Sequence, residues 1–135
     1  MTSSLRISRA LVDEVFAHAR AEAPREACGM IGGTGRNATA FYPAINTDTS
    51  NITYEIDPKE AFDIIRTMRA DGVEFVAGYH SHPETEAYPS PTDRAKAGDT
   101  ELIYVIVSLR HQDNSEFRAF ELNKGEVTEV EVRID

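Results

Sequence analysis

The sequence has little cysteine and no long apolar run. Its single cysteine, Cys28, cannot form an intrachain disulfide, a zinc ribbon or a C-x-x-C redox pair, which excludes a disulfide-stapled secreted fold. The longest apolar run, residues 102–107, has six residues, whereas a transmembrane helix needs roughly 18. The first twenty residues contain Asp13 and Glu14 and no apolar leader. We therefore expect a cytoplasmic protein that does not associate with a membrane.

Basic residues are also few. The chain has 14 Lys and Arg against 23 Asp and Glu, a net charge of −9. Such a charge repels phosphate groups, so general nucleic-acid binding is excluded. The hydrophobic fraction of 41% and the charged fraction of 27% are ordinary for a globular protein. With 135 residues, the length fits one domain, which we expect to cover residues 1–135.

Apolar periodicity predicts two long helices. The first covers residues 9–20, with Ser8 before it. The second begins after Asp57, an N-cap followed by proline, with Glu60 completing a capping box, and it ends near Gly72. The predicted buried residues are Leu11, Val12, Val15, Phe16 and Ala19 in the first helix and Ala61, Phe62, Ile64, Ile65 and Met68 in the second.

Seven strands are predicted between and after these helices. They cover residues 27–33, 38–42, 54–56, 73–79, 102–107, 116–122 and 126–134. The continuous apolar run of residues 102–107 is typical of a strand covered on both faces. Strands interspersed with helices predict an α/β protein with a mixed sheet flanked by helices.

Residues 80–93 contain the side chains that suggest a metal site. His80 and His82 lie two residues apart at the end of a predicted strand, so both imidazoles point to the same side. Asp93 follows at the start of a predicted short helix and can add a carboxylate oxygen. Two imidazoles and one carboxylate are three protein ligands, which leaves a fourth tetrahedral position open for water. This arrangement is typical of a catalytic zinc site, although loop histidines and a helix-capping aspartate would show the same letters.

These residues resemble the JAMM/MPN+ metalloprotease family. Its signature is a Glu in an early strand, then H-x-H, seven residues, S, two residues and D. Here the pattern is Glu26, His80 and His82, residues 83–89, Ser90 and Asp93. The resemblance covers nearly the whole chain and implies a JAMM/MPN fold, which is cytidine-deaminase-like. Residues 85–90 look most like the bacterial Mec-type enzymes, which release cysteine from the C-terminus of a ubiquitin-like (β-grasp) sulfur-carrier protein.

The resemblance also implies roles. His80, His82 and Asp93 would bind one Zn²⁺ ion and a water. Glu26 would accept a proton from that water and pass a proton to the leaving amine. Ser90 would donate a hydrogen bond to the oxyanion, although a cap or turn serine explains the same residue. Four further side chains have no assigned chemical role: Ser81 between the ligands, Cys28 as a small buried residue, His18 and His111. Glu86 and Tyr88 either shape a pocket or brace the loop.

Three functions remain open from the sequence. The first is release of cysteine from the carrier, as part of cysteine biosynthesis. The second is a general isopeptidase that removes a ubiquitin-like protein from lysine, with the same chemistry and a different leaving amine. The third is a non-catalytic MPN scaffold, which the intact set of predicted ligands disfavours. A nucleobase deaminase is excluded, because it requires a P-C-x-x-C motif and the chain has one cysteine.

Overall fold

A computed structural model describes residues 4–97 and 102–135. The predicted domain bounds of 1–135 therefore include residues 1–3 and 98–101, which lie outside the described residues. None of the described helices is long and apolar enough to cross a membrane. The elements, in chain order, are β1 (Leu5–Ile7), α1 (Arg9–Glu22), β2 (Cys28–Thr34), β3 (Asn37–Ala44), α2 (Pro58–Ala70), β4 (Glu74–His82), α3 (Pro91–Ala97), β5 (Ile103–Ser108), β6 (Phe117–Asn123), β7 (Glu126–Val130) and β8 (Val132–Ile134).

The eight described strands form one mixed sheet in the order β7-β6-β5-β4-β2-β3-β1-β8. The pairs β4–β5, β1–β3 and β1–β8 are parallel and the other pairs are antiparallel. Because β7 and β8 are consecutive in the chain but occupy opposite ends of this order, the sheet curls until its two edges meet. The predicted α/β class with a mixed sheet is confirmed.

The last strand is the main error of the sequence prediction. Residues 126–134 were expected to form one strand, but the chain leaves β6 after Val130 and joins β1 from Val132 onward. Between them, the Glu131 carbonyl accepts a hydrogen bond from the Leu5 amide at 2.8 Å. The strand β1 that receives this segment was not predicted, because three residues are too few to show alternation.

Helix α1 agrees with its prediction. The Ser8 side chain caps it by accepting a hydrogen bond from the Leu11 amide at 3.1 Å. Its buried residues are Leu11, Val12, Val15, Phe16 and Ala19, the five that the periodicity predicts. They pack against one face of the sheet, in a cluster with the buried side chains of β1, β4 and β5.

Helix α2 agrees only in part. Asp57 accepts a hydrogen bond from Lys59, as expected of an N-cap. Glu60 does not form the expected capping box. Its carboxylate instead accepts a hydrogen bond from the Ile45 amide at 2.9 Å, which connects the helix to the end of β3. Phe62, predicted to be buried, is 63% exposed. The buried face is therefore narrower than predicted and centres on Ile64 and Met68.

The predicted strand at residues 54–56 is also wrong. Only Ile56 pairs there, in an isolated bridge with Asn46. The rest of the segment from 47 to 55 is a loop, because the Asn46 side chain accepts hydrogen bonds from the Asp48 and Glu55 amides, which removes those donors from any strand ladder. This loop, residues 46–56, lies beside the candidate site and is called the site loop below.

Gly33 offers a test of the sheet geometry. It lies at a bulge in the pairing of β2 with β3, where a Cβ atom would overlap the carbonyl oxygen of Asn37. Gly33→Ala should lower the free energy of unfolding by about 2 kcal/mol, because the backbone must shift to admit the methyl group. That corresponds to a fall in Tm of roughly 6 °C.

The matched control is Gly78→Ala in β4, where a Cβ atom would meet Tyr104 at an ordinary 3.7 Å. Thermal unfolding followed by circular dichroism compares the two variants. Equal Tm values for both would contradict the described bulge.

Candidate active site

The end of β4 places two imidazoles together. His80 and His82 alternate along the strand and project from the same face, and their Nε2 atoms lie 3.2 Å apart. Both side chains are buried. The intervening Ser81 points to the opposite face, as the period of a strand requires, and is fully buried as well.

Helix α3 brings the third group. Ser90 and Asp93 form a reciprocal cap at its start: the Asp93 amide donates to Ser90 Oγ at 3.0 Å, and the Ser90 amide donates to Asp93 Oδ2 at 2.9 Å. This pair of hydrogen bonds fixes the carboxylate so that Oδ2 lies 3.1 Å from His80 Nε2 and 3.2 Å from His82 Nε2. The predicted grouping of His80, His82 and Asp93 is therefore present in the fold.

The three donor atoms fit a metal ion. They all lie within 4.8 Å of one another and form the one group of this kind in residues 4–97 and 102–135. Tetrahedral coordination with metal–ligand bonds of about 2.0–2.1 Å places neighbouring donors roughly 3.3 Å apart. The observed separations of 3.1 to 3.2 Å match that edge length. His80, His82 and Asp93 are therefore spaced as three ligands of one metal ion would be.

Burial and hydrogen bonding shift the pKa values of the three groups. Burial lowers the pKa of His80, which keeps its imidazole neutral. Burial opposes ionisation of Asp93, but hydrogen bonds from His80 and His82 outweigh it and lower the pKa of this carboxyl. Burial lowers the pKa of His82 too, yet its bonds to Asp93 and to the Glu86 carbonyl reverse the balance and raise it. A proton on His82 thus competes with a metal for the same site.

The loop between the ligands is braced from outside. His82 Nδ1 donates to the Glu86 carbonyl at 2.8 Å, and because a carbonyl only accepts, Nε2 is the nitrogen left for a metal. The ring of Tyr88 packs edge-on against Phe120 and lies beneath the Arg118 guanidinium. Glu86 and Tyr88 therefore brace the loop, one through its backbone and the other through its ring.

Tyr54 is a site residue that sequence reasoning missed. Its ring stacks on the His80 imidazole, with centroids 4.6 Å apart and planes inclined by 21°. The stack closes one side of the metal site and joins it to the site loop. A lone tyrosine in a polar stretch gives no sequence signal for this contact.

Glu26 lies two residues before β2, close enough to the site for the charges of His82 and Asp93 to act on it. Its side chain is buried, and Oε1 has no hydrogen-bond partner among the described residues. Burial raises the pKa of this carboxyl to about 7, while the charge of His82 opposes the rise. Glu26 is not part of the three-atom metal cluster. It is a buried carboxyl group with one unpartnered oxygen, and it interacts electrostatically with His82 and Asp93 of that cluster.

Backbone hydrogen bonds hold Glu26 from both sides. On the β4 side, the Ala27 amide donates to Ser81 Oγ at 2.8 Å and the Ser81 amide donates to the Ala27 carbonyl at 3.0 Å. On the other side, Asn46 Nδ2 donates to the Glu26 carbonyl at 2.9 Å. Arg25 donates to the carbonyls of Asn46 and Asp48. Ser81, unassigned from the sequence, is thus a link between Glu26 and the histidine strand.

Cys28, His18 and His111 are not members of the group formed by His80, His82 and Asp93. Cys28 is fully buried, and burial raises the pKa of its thiol to about 12, which removes it as a nucleophile. His18 contacts the Tyr79 hydroxyl at 3.3 Å. His111 lies near Glu116 at 3.6 Å, on an exposed turn.

Comparison with known proteins agrees with this geometry. The family described as prokaryotic homologs of the JAB domain matches residues 8–123. The chain belongs to this family. Its resemblance to the JAMM/MPN+ metalloproteases and its predicted fold are thereby confirmed. A solved structure of a protein from Desulfitobacterium hafniense superposes with a TM-score of 0.90 at 34% identity, covering 96% of this chain and 92% of that one.

Two relatives have activity names. The chain is 39% identical over 127 residues to a CysO-cysteine peptidase of Mycobacterium tuberculosis, covering 92% of this chain and 86% of that protein. It is 34% identical over 143 residues to a desampylase of Haloferax volcanii, covering 100% of both. With the family assignment and the metal site, these similarities identify the chain as an enzyme of the JAMM metallopeptidase type.

Asn46 tests the support of the site. Its amide is 2% exposed and uses all its capacity: Nδ2 donates to the Glu26 and Thr53 carbonyls, and Oδ1 accepts from the Asp48 and Glu55 amides. Asn46→Ala should lower the free energy of unfolding by about 2 kcal/mol, because buried polar groups lose their partners. Metal content should stay unchanged, since the three ligands lie on other elements.

Denaturant unfolding and metal analysis measure the two effects. Asn51→Ala, at an exposed position of the same loop, is the control and should change neither. A loss of metal from Asn46→Ala without a loss of stability would contradict this assignment.

Proposed function

We propose that the protein is a zinc-dependent hydrolase that cleaves the C-terminal Gly–Cys amide bond of a ubiquitin-like sulfur-carrier protein and releases cysteine. The observation that carries this proposal is the tetrahedral spacing of His80, His82 and Asp93 next to the buried Glu26. The substrate is inferred from the relative named CysO-cysteine peptidase, which is 39% identical.

Zinc is the metal we propose for the site. Two imidazole nitrogens and one carboxylate oxygen are borderline ligands that suit Zn²⁺, and three protein ligands leave a coordination position open. Bound there, zinc would supply Lewis acidity, which lowers the pKa of a coordinated water to about 7 and polarises a carbonyl. The predicted cofactor is thus one Zn²⁺ per chain.

Glu26 is the proposed general base and acid. Its unpartnered Oε1 can accept the proton of the attacking water, and the protonated carboxyl can then pass a proton to the leaving amine. The raised pKa of about 7 suits both steps, because the group can hold and release a proton near neutral pH. The Ala27–Ser81 and Asn46 hydrogen bonds fix the backbone from which this carboxyl extends.

Ser90 is the proposed oxyanion donor. Its Oγ accepts the Asp93 amide through a lone pair, so its hydroxyl hydrogen stays available to donate. A hydrogen bond from a fixed donor to a developing oxyanion contributes about 10²–10³ in rate. The cap and the catalytic role are compatible and use different parts of one hydroxyl group.

The carrier is proposed to bind through its flexible C-terminal tail, laid in extended form beside the sheet with backbone hydrogen bonds supplying affinity. Only small residues would pass the metal, because Tyr54 and the Tyr88 loop border the site. The net charge of −9 disfavours nucleic acid as a partner.

A second function is removal of a ubiquitin-like protein from lysine. The desampylase relative, 34% identical over the whole chain, supports it, and the hydrolytic groups would be the same. The two functions differ in the amine that leaves.

Two variants separate metal binding from catalysis. Glu26→Gln keeps the shape of the side chain and removes the base, so we expect about one zinc per chain and a fall in kcat of roughly 10²–10⁴. His82→Ala removes a ligand, so zinc and activity should be lost together. Zinc analysis and carrier–cysteine hydrolysis are measured on both. Loss of zinc from Glu26→Gln would make Glu26 a ligand, and an active zinc-free His82→Ala enzyme would refute the mechanism.

The substrate is tested by intact-mass spectrometry. A sulfur-carrier protein ending in Gly–Gly–Cys and the same carrier linked to a lysine side chain are incubated in parallel with the zinc-loaded enzyme, with Glu26→Gln as the inactive control. We expect loss of one cysteine residue from the first substrate. Cleavage of the lysine conjugate alone would instead establish the isopeptidase.

A further inference from the structure

Lys96 places a positive charge beside the metal site. It follows Asp93 by three residues on α3, so both side chains emerge on the same side of that helix. Its Nζ donates to the Tyr54 carbonyl at 2.7 Å and lies 5.4 Å from the centre of the Tyr54 ring. The same ring stacks on His80. Lys96 is therefore one aromatic ring away from a metal ligand.

A small cavity connects Lys96 to the metal ligands. Its volume is ≈ 70 Å³, and its walls include His80, Asp93, Tyr54, Lys96 and Tyr104. Since a water molecule occupies about 30 Å³ in the liquid, the cavity can hold a group of the size of a carboxylate. Its lining joins two of the three proposed metal ligands, His80 and Asp93, to the side chain of Lys96.

Within the described part of the chain, the ammonium group of Lys96 has no partner of opposite charge within ion-pair distance. The ion pairs among residues 4–97 and 102–135 do not include Lys96, and its one hydrogen-bond acceptor there is the neutral Tyr54 carbonyl. An ammonium group has three donors, so two remain for a ligand. Its field reaches the site: burial raises the pKa of Glu26, and the Lys96 charge opposes that rise.

The two substrate classes differ at this position. In a C-terminal Gly–Cys bond the leaving nitrogen is attached to Cα, which carries a free α-carboxylate, so an anion lies two bonds beyond the scissile nitrogen. In a lysine conjugate the leaving nitrogen is attached to a chain of four methylene groups, and no carboxylate lies near it. A cation beside the metal therefore discriminates between the two.

We propose that Lys96 binds the α-carboxylate of the leaving amino acid in this cavity and so selects C-terminal amino-acid adducts over lysine conjugates. The inference rests on the proposed function and adds its specificity-determining residue. Tyr54 holds the ammonium in place through its carbonyl and ring. The contact is charge-assisted, and such contacts are stronger than neutral hydrogen bonds.

The test removes one negative charge from the substrate and one positive charge from the enzyme. The substrates are a carrier ending in cysteine and the same carrier ending in cysteinamide. The enzymes are wild type, Lys96→Gln, which keeps a donor for the Tyr54 carbonyl without the charge, and Lys96→Arg, which keeps the charge. Lys59→Gln, which removes an exposed lysine of α2, is the control.

We expect the wild type to favour the free acid over the amide by roughly tenfold in kcat/KM, the effect of one charged hydrogen bond. Lys96→Gln should lose that preference because its kcat/KM falls for the free acid and not for the amide. Lys96→Arg and Lys59→Gln should keep the preference. Calorimetry with the Glu26→Gln enzyme should show the same acid-over-amide preference in binding, and Lys96→Gln in that background should abolish it.

Three results would overturn the inference. Equal rates of the wild type on acid and amide would remove the carboxylate contact while leaving the proposed function intact. An equal fall on both substrates in Lys96→Gln would make Lys96 a support for Tyr54 only. Cleavage of a lysine conjugate but of neither cysteine substrate would refute the proposed function, and the inference would fall with it.

Discussion

Antiparallel pairing of β2 with β4 is the constraint on which the site depends. The register sets Cys28 opposite His80, and the two hydrogen bonds between Ala27 and Ser81 continue it one residue further. This pairing therefore positions Glu26, which precedes β2, on the side of the two imidazoles. A slip of one residue would turn both histidines to the opposite face, so one register positions both the proposed metal ligands on β4 and the proposed base, Glu26.

The buried Asp93 carboxylate is stabilised because it has several hydrogen-bonding partners. Asp93 Oδ2 accepts the Ser90 amide and faces both imidazoles, which offsets the cost of burying a carboxylate. Helix α3, only seven residues long, thereby carries two opposite charges with separate roles. Asp93 is a proposed metal ligand, Lys96 is the proposed partner of the leaving group's carboxylate, and both line the same cavity.

Local signals predicted the parts of the site that depend on local geometry. The alternation of His80 and His82, the capping pair Ser90 and Asp93, and the apolar face of α1 follow from strand and helix periods, so the sequence shows them. Tyr54, Asn46 and Lys96 could not be predicted, because each acts through a partner distant in sequence. The same limit explains Phe62: helical spacing identifies an apolar stripe but not how much of it the sheet covers.

Closure of the sheet has a consequence for how the chain folds. Strand β1 pairs with β8, whose residues Val132 to Ile134 lie more than a hundred positions later in the sequence. Until that segment arrives, one side of β1 has unpaired amides and carbonyls, an edge on which other chains can assemble. Contacts so distant in sequence also form slowly, because a long loop must close first. Pairing of β8 with β1 therefore covers this edge and removes a site at which other chains could aggregate.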